Sequence, residues 1–220
     1  MNHTIVVVGG GPAAYIPDLK QTVQGDCLWI GADKGAEVLI EQGIKPDLAI
    51  GDFDSVSLEV LRRIQASAAE TRIYPDEKDE TDLELAVIEA QKRNPAHILL
   101  VGVTGGRLDH SQANIQLLYT LAERDVKATI VDKQNRVELV KAGEHTIEAD
   151  EEYPYISFLP VTLDVSGLTL KGFYYPLTDA YVPYGSTLCI SNRLLEDTGT
   201  FSFQAGILLV IRSKDLTNRG

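Results

Sequence analysis

The residues with the most chemical promise are aspartates standing at the ends of apolar runs. Ala49-Ile50-Gly51-Asp52-Phe53-Asp54-Ser55 is the sharpest case: a short apolar segment, a glycine, then two carboxylates one residue apart. Ala32-Asp33-Lys34-Gly35 follows an earlier apolar run, and Asp76-Glu77-Lys78-Asp79-Glu80-Thr81-Asp82 precedes a helix-like stretch. Gly105-Gly106-Arg107-Leu108-Asp109-His110 follows another apolar run. Carboxylates brought together repel and resist ionisation unless a cation sits among them. Aspartate is a hard oxygen ligand, suited to magnesium held jointly with substrate phosphates. The pattern reads as a metal- and phosphate-handling enzyme.

Each motif has a plainer alternative. In a strand, Asp52 and Asp54 share one face with Phe53 opposite, and a cation can bridge them if extended geometry persists. A turn or a helix cap would use the same residues. After a buried strand, metal ligation is the preferred reading. Thr81-Asp82-Leu83-Glu84 fits a capping box, which explains Thr81 and Glu84. It leaves Lys78, Asp79 and Asp82 for a helix N-terminus that can face phosphate while a first-turn carboxylate holds the metal. Thr104-Gly105-Gly106-Arg107 offers backbone amides and a guanidinium fork for phosphate oxygens, or a plain turn with Arg107 paired to Asp109; both stay open. His110 is read as structural. Gly9-Gly10-Gly11-Pro12 has neither dinucleotide spacing nor the lysine of a Walker loop, and reads as a tight turn with Pro12 opening a helix.

The elements that must position these residues follow from periodicity. Thr4-Val8, Cys27-Gly31, Asp47-Gly51, Arg72-Tyr74, His97-Val103 and Lys127-Val131 read as short buried strands. Helical patterns lie between them at Gly35-Gln42, Leu58-Ala69, Thr81-Arg93 and Asn114-Arg124. Such alternation implies an α/β fold, a mostly parallel sheet flanked by helices. All C-terminal strand ends of such a sheet share one rim, where ligands bind. That rim would gather Gly9-Gly11, Asp33, Asp52 with Asp54, and the 105–110 segment.

After about Asp132 the character changes. Arg136-Val140, His145-Ile147, Tyr155-Leu159, Leu163-Leu170, Thr187-Ser191, Thr200-Phe203 and Ile207-Ile211 alternate in the manner of an antiparallel β-sandwich. The expected domains are 1–134, an α/β catalytic, nucleotide- and metal-binding domain, and 135–220, a β-sandwich.

Composition narrows the options. The net charge is −12, which argues against a nucleic-acid-binding surface. Only two cysteines occur, Cys27 and Cys189, and both read as reduced, buried thiols of a cytoplasmic protein. No apolar run is long enough to span a bilayer, so no membrane association is expected.

Taken together, the motifs resemble the thiamine pyrophosphokinase family over nearly the whole chain. The resemblance rests on Gly31-Ala32-Asp33, Pro46-Asp47 followed by Ile50 through Ser55, Lys78-Asp79 with Thr81-Asp82, and Thr104 through His110 with Asn114. It extends to Lys171-Gly172, Tyr175-Pro176-Leu177, Gly185 and Ser191-Asn192. It implies transfer of pyrophosphate from ATP to the hydroxyl of thiamine, giving AMP and thiamine diphosphate. It implies a homodimer with thiamine at the subunit interface, so that residues 135–220 would be a thiamine-binding domain. By motif match, Asp52, Asp54 and Asp82 would hold magnesium. Asp33, Lys78, Thr81, Thr104, Gly105, Gly106, Arg107 and Asp109 would line the nucleotide and phosphate path, and Ser191 and Asn192 would meet the thiamine pyrimidine. Asp79 or Asp109 could take the hydroxyl proton, with Arg107 stabilising the transferred group. Some members carry a tryptophan shortly after the Ser-Asn pair, whereas the only tryptophan here is Trp29. Two other classes fit the same acids: a magnesium-dependent phosphohydrolase with Asp52 as nucleophile, and a non-catalytic nucleotide- or metal-binding protein.

Overall fold

Thr4-Ile5-Val6-Val7-Val8 is β-branched almost throughout, and its residues from Ile5 to Val8 are fully buried. A strand apolar on both faces belongs in the middle of a sheet covered on both sides. In the computed structural model, which describes residues 3–23 and 25–215, that is where it lies. β1 (Thr4–Val8) pairs in parallel with β2 (Cys27–Ala32) on one side and β5 (His97–Val101) on the other. β2 continues to β3 (Leu48–Gly51) and β4 (Thr71–Ile73), and β5 to β6 (Ala128–Val131), all parallel. The strand order is therefore 4-3-2-1-5-6, and the direction of winding reverses between β1 and β5.

Helices α2 (Gly35–Glu41), α3 (Leu58–Ser67), α4 (Asp82–Gln91) and α5 (Leu108–Glu123) follow β2, β3, β4 and β5 in turn. Val6 and Val8 join Leu39 of α2, Leu99 and Val101 in one buried cluster. Ile5 and Val7 point the other way and are equally buried, so helices cover both faces. α4 is the most enclosed helix, with Leu83, Leu85, Ala86, Val87, Glu89 and Ala90 all buried. Ser57 caps α3 through Val60 N–H, and Thr81 caps α4 through Glu84 N–H.

The chain divides into two compact units, 1–133 and 134–220. The second is antiparallel throughout. Its long strands are β7 (Asn135–Glu148) and β11 (Thr198–Ser213), paired along their length with one register shift between Phe203 and Ile207. On its other edge β11 pairs β9 (Asp164–Lys171) before the shift and β8 (Tyr155–Pro160) after it. One long strand thus pairs with three others. The core of this unit closes on Phe158, which lies 5.6 Å from Phe173 and 5.0 Å from Phe201 between ring centroids.

Six local readings of the sequence change. The segments 136–140 and 145–147 are one strand, as are 200–203 and 207–211. Gly143 and Gly206 interrupt the side-chain pattern, but they sit at positive φ inside a bulged ladder rather than in turns. Residues 187–191 form turns instead of a strand, although Cys189 is buried and its carbonyl accepts the Phe158 N–H. An unread edge strand, β10 (Leu177–Pro183), pairs β9 through two register shifts, and its proline and polar residues had the look of a loop. Pro12 opens no α-helix: Tyr15 N–H bonds to Pro12 O in a turn, and Pro17 follows before the four-residue α1 (Leu19–Thr22). α5 begins at Leu108, six residues before the sequence pattern suggests.

Candidate metal and phosphate site

Asp33 comes directly after β2, Asp52 directly after β3, and Asp82 opens α4. These three carboxylates each offer an oxygen within 4.8 Å of the others. The parallel sheet brings them together because two of them end neighbouring strands. Asp33 adopts φ 48°, a left-handed conformation that aspartate tolerates better than most residues. Its Oδ2 accepts the Ser55 hydroxyl, and its Oδ1 is buried with no hydrogen-bond donor among the described residues.

Extended geometry does not persist through Asp52-Phe53-Asp54. The strand ends at Gly51, and Phe53 turns to φ 59° with its ring buried. The ring belongs to a small core with Ala36, Ala49 and Ile64, and that burial holds the turn in place. Asp54 is left exposed, and its N–H donates to Asp52 Oδ1 at 3.1 Å. The gathered acids are therefore Asp33, Asp52 and Asp82, with Asp54 alongside.

Lys78 enters this cluster. Its ammonium lies 2.8 Å from Asp52 Oδ2, 3.1 Å from Asp82 Oδ1 and 3.1 Å from Pro75 O. The hydrogen bond from Lys78 holds Asp52 below the ordinary carboxylate range, against the opposing effect of burial. Burial pushes Asp82 up, since Lys78 offsets the lost hydration only in part. The charge of neighbouring Asp52 also raises Asp54. Asp79 and Thr81 are exposed, and Thr81 Oγ1 is engaged as the α4 cap. The donor set fits a hard divalent cation: carboxylates from three elements converge, and two buried oxygens, Asp33 Oδ1 and Asp82 Oδ1, accept no hydrogen bond among the described residues, the second facing only the Lys78 ammonium.

The second group of expected residues surrounds the switch between β1 and β5. Gly9 N–H donates to Val101 O and Gly11 N–H to Gly102 O, each at 2.8 Å. A Cβ on Gly9 or Gly11 would collide with the Gly102 carbonyl, and one on Gly10 would collide with the Lys34 side chain. The triple glycine is thus where the loops after β1, β2 and β5 cross. Gly105 (φ 84°) packs so closely on the Tyr15 ring that no side chain fits there, while Gly106 is exposed. Thr104 Oγ1 donates to Asp132 at 2.6 Å, and Asn114 Nδ2 to Val103 O at 2.7 Å, fixing the loop from both ends. Arg107 forks onto Asp109 at 3.1 and 2.6 Å, and both are exposed. That pairing holds the Asp109 carboxyl down at about 2. His110 is exposed, and its N–H donates to Asp109 Oδ1.

Sequence reasoning passed over Asp132. It stands directly after β6, so the rim argument applied to the other acids would have found it. It gave no role to Ser55, and it read the triple glycine as a tight turn on the rim rather than as the crossing of three loops.

Ser191 and Asn192 lie in the second unit. Ser191 is exposed at φ 57°, and its N–H donates to Ser157 Oγ. Asn192 is 2 % exposed and its side chain is occupied within the protein. Oδ1 accepts Tyr175 N–H and Arg193 N–H, Nδ2 donates to Tyr175 O, and its backbone bridges Ile156.

Known proteins share this arrangement. Residues 19–130 match the family description "Thiamin pyrophosphokinase, catalytic domain", and residues 144–208 match "Thiamin pyrophosphokinase, vitamin B1 binding domain". The chain is 48% identical over 212 residues to the thiamine pyrophosphokinase of Bacillus subtilis (strain 168), spanning 96% of this chain and 99% of that one. It is similar to the crystal structure of thiamine pyrophosphokinase from Bacillus subtilis, with a TM-score of 0.92 at 47% identity, covering 97% of this chain and 100% of that one. A second crystal structure, from Geobacillus thermodenitrificans, matches with a TM-score of 0.89 at 43% identity, covering 97% and 99%. Each unit thus finds its counterpart in the same relatives, in the same order and over almost full length, and the chain belongs to the thiamine pyrophosphokinase family.

Proposed function

We propose that this protein transfers pyrophosphate from ATP to the hydroxyl of thiamine, giving AMP and thiamine diphosphate. The observation that carries the reading is the convergence of Asp33, Asp52 and Asp82 oxygens within 4.8 Å, in a chain of this family. Asp33, Asp52 and Asp82 would hold magnesium, with Asp54 beside them. A divalent cation there would neutralise the triphosphate's charge and hold it in place. Arg107 and Lys78 stabilise charge on the transferred group, because such transfers depend on positioning and charge neutralisation more than on covalent help from the protein. The loop from Thr104 to Gly106 presents backbone amides to phosphate oxygens. Asp79 or Asp109 takes the proton of the attacking hydroxyl. The pairing of Asp109 with Arg107 stabilises its ionised form and so weakens it as a base.

Residues 1–134 act as the catalytic domain and 135–220 as the thiamine-binding domain, within a homodimer in the cytoplasm. Ser191 meets the pyrimidine directly through its exposed hydroxyl, and Asn192 contributes by shaping the corner. Among the described residues no helix is long and apolar enough to cross a membrane. Thiamine is a cation, and a net charge of −12 favours its approach.

One assay tests the reading. Protein, magnesium and ATP are incubated with and without thiamine, and AMP, ADP and phosphate are resolved. AMP appearing in step with thiamine diphosphate is the expected result. Phosphate release without any acceptor would instead indicate a hydrolase acting through Asp52, and binding of ATP without products a sensor.

A further inference from the structure

The Lys78 ammonium has three N–H bonds and three oxygen neighbours: Asp52 Oδ2, Asp82 Oδ1 and the Pro75 carbonyl. Its side chain is 11 % exposed, against 15 % for Asp52 and 21 % for Asp82, so this contact is shielded from bulk water. Two of those three oxygens belong to the carboxylates gathered around the candidate metal position. The other Asp52 oxygen already accepts the Asp54 N–H. A divalent cation drawing on Asp52 and Asp82 therefore meets the ammonium at the same two carboxylates, and the two cations repel at that range. The flexible four-carbon stem lets the ammonium leave the carboxylates without moving the backbone.

We propose that Lys78 is a tethered counter-ion that competes with a divalent cation for Asp52 and Asp82. The cluster then binds the cation weakly until a polyanion such as the triphosphate of a nucleotide gives the ammonium another partner. Metal and nucleotide binding are coupled through one side chain. The device also spares the fold a cluster of unneutralised acids. This rests on the magnesium reading given above and adds a role for Lys78 that precedes any chemistry.

The test is direct binding of Mn2+ to the full chain without nucleotide, followed by electron paramagnetic resonance, for wild type, Lys78→Met, Lys78→Gln and Lys78→Arg. Competition predicts about tenfold tighter Mn2+ binding in the methionine and glutamine variants, within the range of ordinary site coupling. The arginine variant, which keeps the charge, should stay as weak as wild type. The methionine variant should also melt lower than wild type in chelator and gain more from added Mg2+. Should it fail to fold, the glutamine variant is read in the same way. Wild type binding Mn2+ with both neutral variants no tighter would overturn the tethered-ion role and leave the metal site standing. No Mn2+ bound by any variant at millimolar concentration would overturn the metal site as well.

Discussion

The acids around Lys78 and the corner around Asn192 are both polar clusters in loops, one in each compact unit, yet their hydrogen bonding differs in kind. In the first, Asp33 Oδ1 is buried without a donor, and Asp52 and Asp82 are held by one flexible ammonium. In the second, Asn192 spends both its carbonyl oxygen and its amide on Tyr175 and Arg193. Buried polar groups in a folded chain are nearly always paired, so an orphan near other acids points to a missing partner. A fully paired side chain points to structure. The family motifs name Asp52 and Asn192 alike as ligand contacts, but their hydrogen bonding differs, one shared with an ammonium and the other closed within the protein.

The strongest way to break that contrast is to neutralise one carboxylate of the first cluster. Asp52→Asn should lower turnover by roughly a thousandfold or more, because charge placed to stabilise a phosphoryl transition state is costly to remove. Stability without metal should change by no more than about 1 kcal/mol, because the lost Lys78 contact is offset by relieved repulsion on Asp54 and Asp82 while Lys78 keeps Asp82. Saturating Mg2+ should raise the melting temperature of wild type and leave that of the variant where it was. Near-normal turnover in the variant would count heavily against the metal assignment.

Asn192→Ala should do the reverse. It removes three hydrogen bonds from a buried corner and strands the Tyr175 and Arg193 N–H groups, a loss of roughly 2–3 kcal/mol in denaturant unfolding. Activity per folded molecule should fall through a higher KM for thiamine rather than a lower kcat. Ser191→Ala, at an exposed neighbour, should leave stability nearly unchanged while raising the same KM. Equal stability of the two variants would remove the distinction between a contact and a support.

Much of the first unit was legible because parallel βα units repeat a strong local pattern. Buried β-branched runs mark the strands, and Thr81 marks the start of α4. The rim rule then brings Asp33 together with Asp52 and Asp54 without any distance being known. What sequence could not supply was the conformation of single residues. The left-handed turn at Phe53 depends on a pocket built by Ala36, Ala49 and Ile64, which come from three different elements and meet only on folding. In the second unit the strands are long and bulged, so Gly143 and Gly206 look like chain breaks when they are bends. The edge strand β10 has only one neighbour, which lets it carry Asp179 at φ 49° and a terminal proline that a central strand would exclude.

A third acid in the first unit sharpens the comparison with the smallest expected effect. Glu89 on α4 is 6 % exposed, but it is paired: Arg72 of β4 and Lys92 both donate to it. Burial acts to raise its pKa, and the two cations more than offset this, leaving it below its ordinary value of 4.5. A group held below its unfolded value contributes stability that is fully present above that value and is lost as pH falls through the folded one. Glu89→Gln should therefore cost about 1–2 kcal/mol at pH 7, the pair being discounted because Arg72 and Lys92 remain partly exposed. The gap between wild type and variant should close as pH falls below 4.5 and through the lowered folded value, and magnesium should not alter it at any pH. A magnesium-dependent gap would mean that Glu89 communicates with the acids around Lys78, and the division between paired structural carboxylates and gathered functional ones would no longer hold.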